Sequence, residues 1–302
     1  MKFGKVDNPE AIDFTLPPDH PDTQVILKSK TKNQKPQLYV GCAKWNKQDL
    51  KNFYPRGTKD ELDYYSRQFN SIELNATFYR LFPKDQFEKW QEKVPESFKF
   101  FPKITQTISH LKRLIDAEKL LPEYLDHTLL LKENLGTVFL QMHNNFAPKD
   151  WDRVVNFVDA WPREVPLAIE FRHTDWFNKP EVADKLYYLL EEHNICNVLV
   201  DTAGRRDIMH MRMTSDEAFI RFVGANHPSD YDRLDAWVDR LDTWIEQGLR
   251  QIDFFIHQNV EKESPLLATH FIKQMNSRFG FDLKIPGKDS DAPTLTSEIK
   301  NQ

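Results

Sequence analysis

The sequence predicts an α/β protein built as a single (β/α)8 barrel, and three observations lead there. Eight short apolar runs alternate with amphipathic helical patterns. They recur at about the 30-residue spacing of a βαβ unit. The alternating region, residues 37–282, has the roughly 250-residue extent of a closed barrel. An open doubly wound sheet is the competing arrangement.

Taken in order, residues 1–36 are polar, with Pro17, Pro18, Pro21 and a Lys-rich run from Lys28 to Lys35, and read as an irregular N-terminal extension. The first strand is Leu38 to Ala43. Thr58-Lys59-Asp60-Glu61 fits a capping box, with Thr58 as N-cap, and opens a helix carrying Leu62, Tyr65 and Phe69 on one face. Ser71 to Tyr79 reads as the second strand. Ile72, Leu74 and Ala76 face one way, and Ser71, Glu73 and Asn75 the other, because side chains alternate along a strand.

A helix from Pro83 carries Phe87, Trp90 and Val94, and Ser97 to Lys103 is the third strand. Residues 107–134 form a longer, mostly helical connection punctuated by Pro122. Gly136 to Gln141 is the fourth strand, followed by a helix from Pro148 to Ala160. The fifth strand is Pro166 to Arg172, and a helix runs from Pro180 to Glu192. Asn197 to Asp201 is the sixth strand. The short connection to Ala218 implies a degraded sixth helix. Ala218 to Phe222 and Ile252 to His257 are the last two strands, each followed by a helix, and residues 283–302 form a polar tail.

The 302 residues are 40% hydrophobic and 29% charged, as in a soluble globular protein, with a net charge of −5. That balance supplies no global basic field for nucleic acid or an anionic membrane. The two cysteines, Cys42 and Cys196, form neither a metal-ligand spacing nor a disulfide framework. The N-terminus lacks a signal-peptide pattern, and no apolar run approaches the about 18 residues of a membrane span. A cytoplasmic location is expected.

In a barrel the site lies at the C-terminal ends of the strands. The terminal inward residues read as Glu73 and Asn75, Lys103, Gln141, Glu170 and Arg172, Asp201, Arg221, then His257 and Asn259.

Several blocks resemble the YecE-like family, also called the domain-of-unknown-function-72 family. They are Asn52-Phe53-Tyr54-Pro55, Glu73 to Tyr79, Phe98 to Lys103, Ile108 to Leu114, Ile169-Glu170-Phe171-Arg172-His173 with Trp176, and Arg221-Phe222-Val223-Gly224. The resemblance spans about residues 38–280. It implies a (β/α)8 barrel with a polar cleft at one end, and no established activity. The chain departs from the family at Lys44-Trp45, at Gln141-Met142-His143-Asn144 and at His257-Gln258-Asn259, which bears on the rim of the cleft.

Glu73 and Glu170 suit a general acid and base. Against this stands a structural ion network with Lys103, Arg172 and Arg221. Lys103 is read as an electrostatic stabiliser or, with a depressed pKa, a Schiff-base nucleophile. Arg172 and Arg221 suit a phosphate or carboxylate, with backbone amides at Gly224, Ala225 and Asn226 beside them. Asn75, Gln141 and Asn259 complete the polar lining, and Trp45, Tyr79 and Trp176 offer stacking faces. His110 and His173 read as hydrogen-bonding residues of the rim.

No cofactor is expected. A divalent metal stays open at Glu170, Asp201, His143 and His257, although no tight ligand spacing supports one. The function expected is acid/base chemistry (a hydrolase, lyase or isomerase) on a small anionic or sugar-like substrate. The alternatives are nucleic-acid binding or processing and non-catalytic metabolite binding.

Overall fold

Short runs of β-branched and aromatic residues form the strands, and the amphipathic segments between them form the crossovers that parallel pairing requires. The computed structural model describes residues 4–28 and 35–287. In chain order the elements are α1 (Pro21–Lys28), β1 (Gln37–Cys42), α2 (Glu61–Ser66), β2 (Ser71–Leu74), α3 (Ala76–Tyr79), α4 (Lys84–Lys93), β3 (Lys99–Pro102), α5 (Ala117–Thr128) and β4 (Val138–Gln141). They continue as α6 (Trp151–Ala160), β5 (Leu167–Glu170), α7 (Pro180–Glu192), β6 (Cys196–Asn197), β7 (Leu199–Thr202), β8 (Glu217–Gly224), α8 (Ser229–Gln247), β9 (Gln251–Gln258) and α9 (Ser264–Phe279).

Every strand pairing is parallel, in sheets ordered β1-β9-β8-β7, β2-β3 and β4-β5-β6. β6 and β7 are one run interrupted at Val198, whose N–H bonds the carbonyl of Ile169. The first half pairs with β5 and the second with β8. Parallel bridges Phe100 to Leu135 and Lys103 to Phe139 tie β3 to the β4 region. Among the described residues no helix is long and apolar enough to cross a membrane.

Three local expectations need correction. The N-terminal extension is not irregular throughout, because α1 buries Thr23 and Leu27. It is held by the Thr23 hydroxyl on Met211 O at 2.9 Å and by Asp19 on Trp244 Nε1 at 2.9 Å. The Lys-rich run over 29–34 and the tail over 288–302 lie outside the described residues. The cap of α2 is Asp60, whose Oδ1 accepts from the amides of Leu62 and Asp63, while the Thr58 hydroxyl turns back to Pro55 O. The second strand stops at Leu74. Thr77 bridges the carbonyls of Leu74 and Lys103 at 2.8 Å each, which requires the chain to turn, so Ala76 to Tyr79 is helical. The connection after β7 holds only a 3-10 turn over Ala203–Ile208.

The two-residue period of a strand stacks the inward side chains in layers. Phe101, Phe139, Phe219 and Phe255 come from β3, β4, β8 and β9 and form an apolar layer with Ala168, Cys196, Val198 and Val200. Their ring centroids lie 4.8 to 5.9 Å apart, mostly tilted or edge-on. Each such ring stabilises the fold by about 1.5–3 kcal/mol through burial. Two residues further along the same strands stand Lys103, Gln141, Arg221 and His257. The aromatic layer is therefore a dry floor beneath a polar cluster.

Candidate active site

The cluster is built on the C-terminal ends of the strands. Glu73 ends the inward face of β2 and Glu170 that of β5, and both are fully buried. A buried carboxylate is costly unless paired, and Arg221 on β8 pairs with both. Its Nε and Nη2 donate to the two oxygens of Glu73 at 2.9 and 2.8 Å, and its Nη1 donates to Glu170 Oε2 at 2.6 Å.

Other partners extend the network in both directions. His257 Nε2 lies 2.9 Å from Glu73 Oε2. A carboxylate only accepts, so that nitrogen carries the proton. Asn75 Nδ2 donates to Glu73 Oε1 at 2.8 Å. Gln141 Nε2 donates to both oxygens of Glu170 at 3.1 and 2.9 Å, which turns its Oε1 toward Lys103 Nζ at 2.8 Å. Arg172 donates through Nε to Glu170 Oε1. The result is a continuous chain from His257 through Glu73, Arg221, Glu170 and Gln141 to Lys103.

Burial and pairing move the pKa values of the cluster in opposite directions. Burial alone would raise Glu73, but Arg221 and His257 hold it well below the usual carboxylate range. Glu170, also opposed by burial, is held down to about 2 by Arg172 and Arg221. Burial opposes the charge on Arg221 as well, and the two glutamates more than offset it, raising its pKa. Lys103 is lowered to about 7, by burial first and then by repulsion from Arg221. His110 is lowered to about 4, chiefly by burial and then by Lys103 and His143.

The structure brings Glu73, Asn75, Lys103, Gln141, Glu170, Arg172 and Arg221 together. Other expected residues lie elsewhere. Trp176 is fully buried, donates its Nε1 to Phe146 O at 2.7 Å and packs on Phe171, so it presents no face to a substrate. Gly224 gives no room to an anion, because Gln258 fills the space where its Cβ would be. The nearby amides are taken too. Ala225 N donates to both oxygens of Asp230 at 3.0 Å, and Asn226 N to Gln258 Oε1 at 2.9 Å. Tyr79 is exposed on α3, and Asn259 is exposed just past the end of β9.

The residues left open for a metal are not assembled. Val198 and Val200 take the inward face, so Asp201 points outward to Arg233, Trp237 and Arg206. His143 bonds Asn145 and packs on His110. Among the described residues no group of three or more His, Cys, Asp or Glu stands close enough to hold a metal ion.

Two site residues escaped the sequence reading. Phe78 and Phe139 place their rings 4.3 and 5.8 Å from Lys103 Nζ and form an aromatic sleeve around it. Phe139 is signalled by its place two residues before Gln141. Phe78 is hidden by the helical turn of α3. A cavity of about 1080 Å³ lies elsewhere, lined by Gln37, Asn70, Lys99 and Lys284 near the starts of β1 and β3. Its charged lining residues Arg67, Glu96 and Asp282 are exposed. Buried, mutually tuned ionisable groups mark a chemical site better than volume does.

These features define an α/β protein of parallel sheets with a buried ion network at the C-terminal ends of its strands. The chain belongs to the DUF72 family, described as "Protein of unknown function DUF72", whose sequence pattern matches residues 39–289. It is 27% identical over 210 residues to the UPF0759 protein YecE of Escherichia coli K12, covering 63% of this chain and 75% of that protein. It is 27% identical over 206 residues to the UPF0759 protein YunF of Bacillus subtilis, covering 63% and 71%. Among solved structures, a DUF72 family protein from Thermotoga maritima superposes with a TM-score of 0.65 at 24% identity, over 80% of this chain and 99% of that one. One from Enterococcus faecalis gives 0.64 at 16% identity, over 81% and 99%. At these identities the two structures speak for the fold alone.

Proposed function

We propose that the three sheets are arcs of one closed (β/α)8 barrel and that the cluster at its mouth is the active site of an enzyme. The aromatic layer shared by β3, β4, β8 and β9 supports the closure, since residues from all three sheets meet there. The substrate is a small anionic or sugar-like molecule, and the reaction is a hydrolysis, elimination or isomerisation.

One observation carries this reading. Lys103 is a buried amine whose pKa of about 7 suits proton transfer at neutral pH, and Gln141 links it to the Glu170 carboxylate. Glu73 and Glu170, both ionised, are fixed negative charges rather than proton donors in the free protein. Arg221 is fully committed to them and acts as a positioning residue. Lys103, Asn75, His257 and Arg172 are the groups that meet the substrate.

The test is a screen of sugar phosphates, sugar acids and 2-oxo acids by thermal shift and turnover. A true substrate raises the Tm of the wild type, and Lys103→Met slows its turnover by about 100-fold or more. Equal turnover by Lys103→Met and the wild type removes Lys103 from the mechanism.

A further inference from the structure

Lys103 differs from the other cations of the site in its partners. Arg221 and Arg172 each pair with a carboxylate. Among the described residues no carboxylate oxygen stands within 4.0 Å of Lys103 Nζ. Its one hydrogen bond goes to a neutral amide oxygen, that of Gln141 at 2.8 Å. The Phe78 ring flanks it at 4.3 Å and the Phe139 ring at 5.8 Å. The rings favour an ammonium only weakly, whereas an apolar sleeve without a counter-ion favours the free amine.

The lysine also sits where a nucleophile must. It directly follows β3, at the strand's C-terminal end, and its backbone is fixed by the Thr77 hydroxyl on its carbonyl and by its bridge to Phe139. The residue retains 6% exposure, so the amine is sheltered.

We propose that Lys103 forms a Schiff base with a small polar carbonyl compound, an aldehyde, ketone or 2-oxo acid, bound among Gln141, Asn75 and Arg172. This inference rests on the cleft reading above and names the substrate class for it. The nitrogen lone pair attacks the carbonyl carbon and forms the C–N bond. The carbonyl oxygen takes up the two amine protons in turn and leaves as water, and a C=N bond remains. The step is redox-neutral and needs no co-reactant. The amine is supplied in its reactive form because burial and Arg221 lower its pKa to about 7. At pH 7 about half of it is then neutral, against about one in three thousand for an ordinary lysine.

The experiment incubates the full chain with pyruvate or glycolaldehyde and sodium cyanoborohydride, which reduces the imine to a stable amine, and maps the adducts by peptide mass spectrometry. Lys103 is expected to be labelled about tenfold or more above the mean of the surface lysines, with a rate that rises through pH 7. Because the readout is on the wild type, it does not depend on a variant folding; Lys103→Met serves as the control for site assignment. Labelling of Lys103 no higher than the surface mean with both probes overturns the inference. Thermal shifts with the same probes, without reductant, separate the two readings. Stabilisation without preferred labelling overturns the Schiff base and leaves the cleft, and neither effect overturns both.

Discussion

Arg221 of β8 holds both carboxylate oxygens of Glu73, at 2.9 and 2.8 Å, although 148 residues separate them in the chain. With its remaining nitrogen on Glu170, the guanidinium is the only cation touching both buried carboxylates among the described residues. Removing it leaves one carboxylate with a histidine and the other with Arg172. Arg221→Met is therefore expected to cost about 3–5 kcal/mol, as breaking a buried ion pair does. Arg221→Lys recovers little, because one ammonium lacks the fork that serves two carboxylates. Urea denaturation measures both. A loss under about 1 kcal/mol for Arg221→Met would mean that water or protons neutralise the glutamates without it.

Gly41 marks where β1 passes β2. A Cβ there would stand 2.3 Å from Ser71 O, a backbone atom that cannot swing aside. Gly41→Ala is expected to destabilise by about 1–3 kcal/mol, the usual cost of overpacking, or more because backbone must move. Thermal melts decide it. An unchanged Tm would show that the two strands separate easily.

How much of this was legible in the sequence depends on what each residue touches. The helix over Pro180–Glu192 agrees with its pattern to the residue, since proline at its start and a clean apolar face are local signals. Glu73, Lys103, Glu170 and Arg221 were legible because polar residues ending apolar strands stand out at period two. Asp201 was misplaced for the opposite reason. In a parallel strand both faces are apolar, so Val198, Leu199 and Val200 do not say which way the next residue points. Trp176 and Gly224 depend on Phe146 and Gln258, which are distant in sequence, and no local pattern announces such contacts. The assignment of Glu73 and Glu170 as acid and base rested on residue type. Their pairing with arginines, which leaves both ionised, required the geometry.

Asp230 occupies the position where an anion was expected. It accepts from the Ala225 and His227 amides and pairs with Arg233 at 2.8 Å, and Arg233 in turn holds Asp201. Asp230→Ala strands two amides and the buried Nη1 of Arg233, at a cost of about 3–5 kcal/mol. Acetate or phosphate at high concentration should restore part of the lost Tm, filling the vacated anion position. Full stability without added anion would show that the amides rehydrate at no cost.

A second carboxyl pair sits at the opposite ends of the strands and carries the opposite pH dependence. Asp253 is fully buried on β9, and Glu217 opens the neighbouring β8. Burial pushes both pKa values up, Asp253 well above the usual range; Glu217 raises Asp253 further, whereas the hydrogen bond with Asp253 lowers Glu217. The titratable groups around them are Asp216 beside Glu217, the Tyr39 hydroxyl on β1 and the Cys196 thiol on β6, with Gln251 donating to Asp253 at 3.0 and 3.1 Å. With a folded pKa above the unfolded one, the folded state holds protons that the unfolded state has released. Stability is then fully present below the unfolded pKa and declines as pH rises toward the folded one. Glu170 has the reverse sign, since its contribution is present above the unfolded range and is lost as pH falls toward about 2. Asp253→Asn removes the group that resists ionisation. Its Tm should match the wild type near pH 4 and exceed it increasingly toward pH 8. A difference between the two proteins that stays constant across that range would show that Asp253 is ionised in the fold.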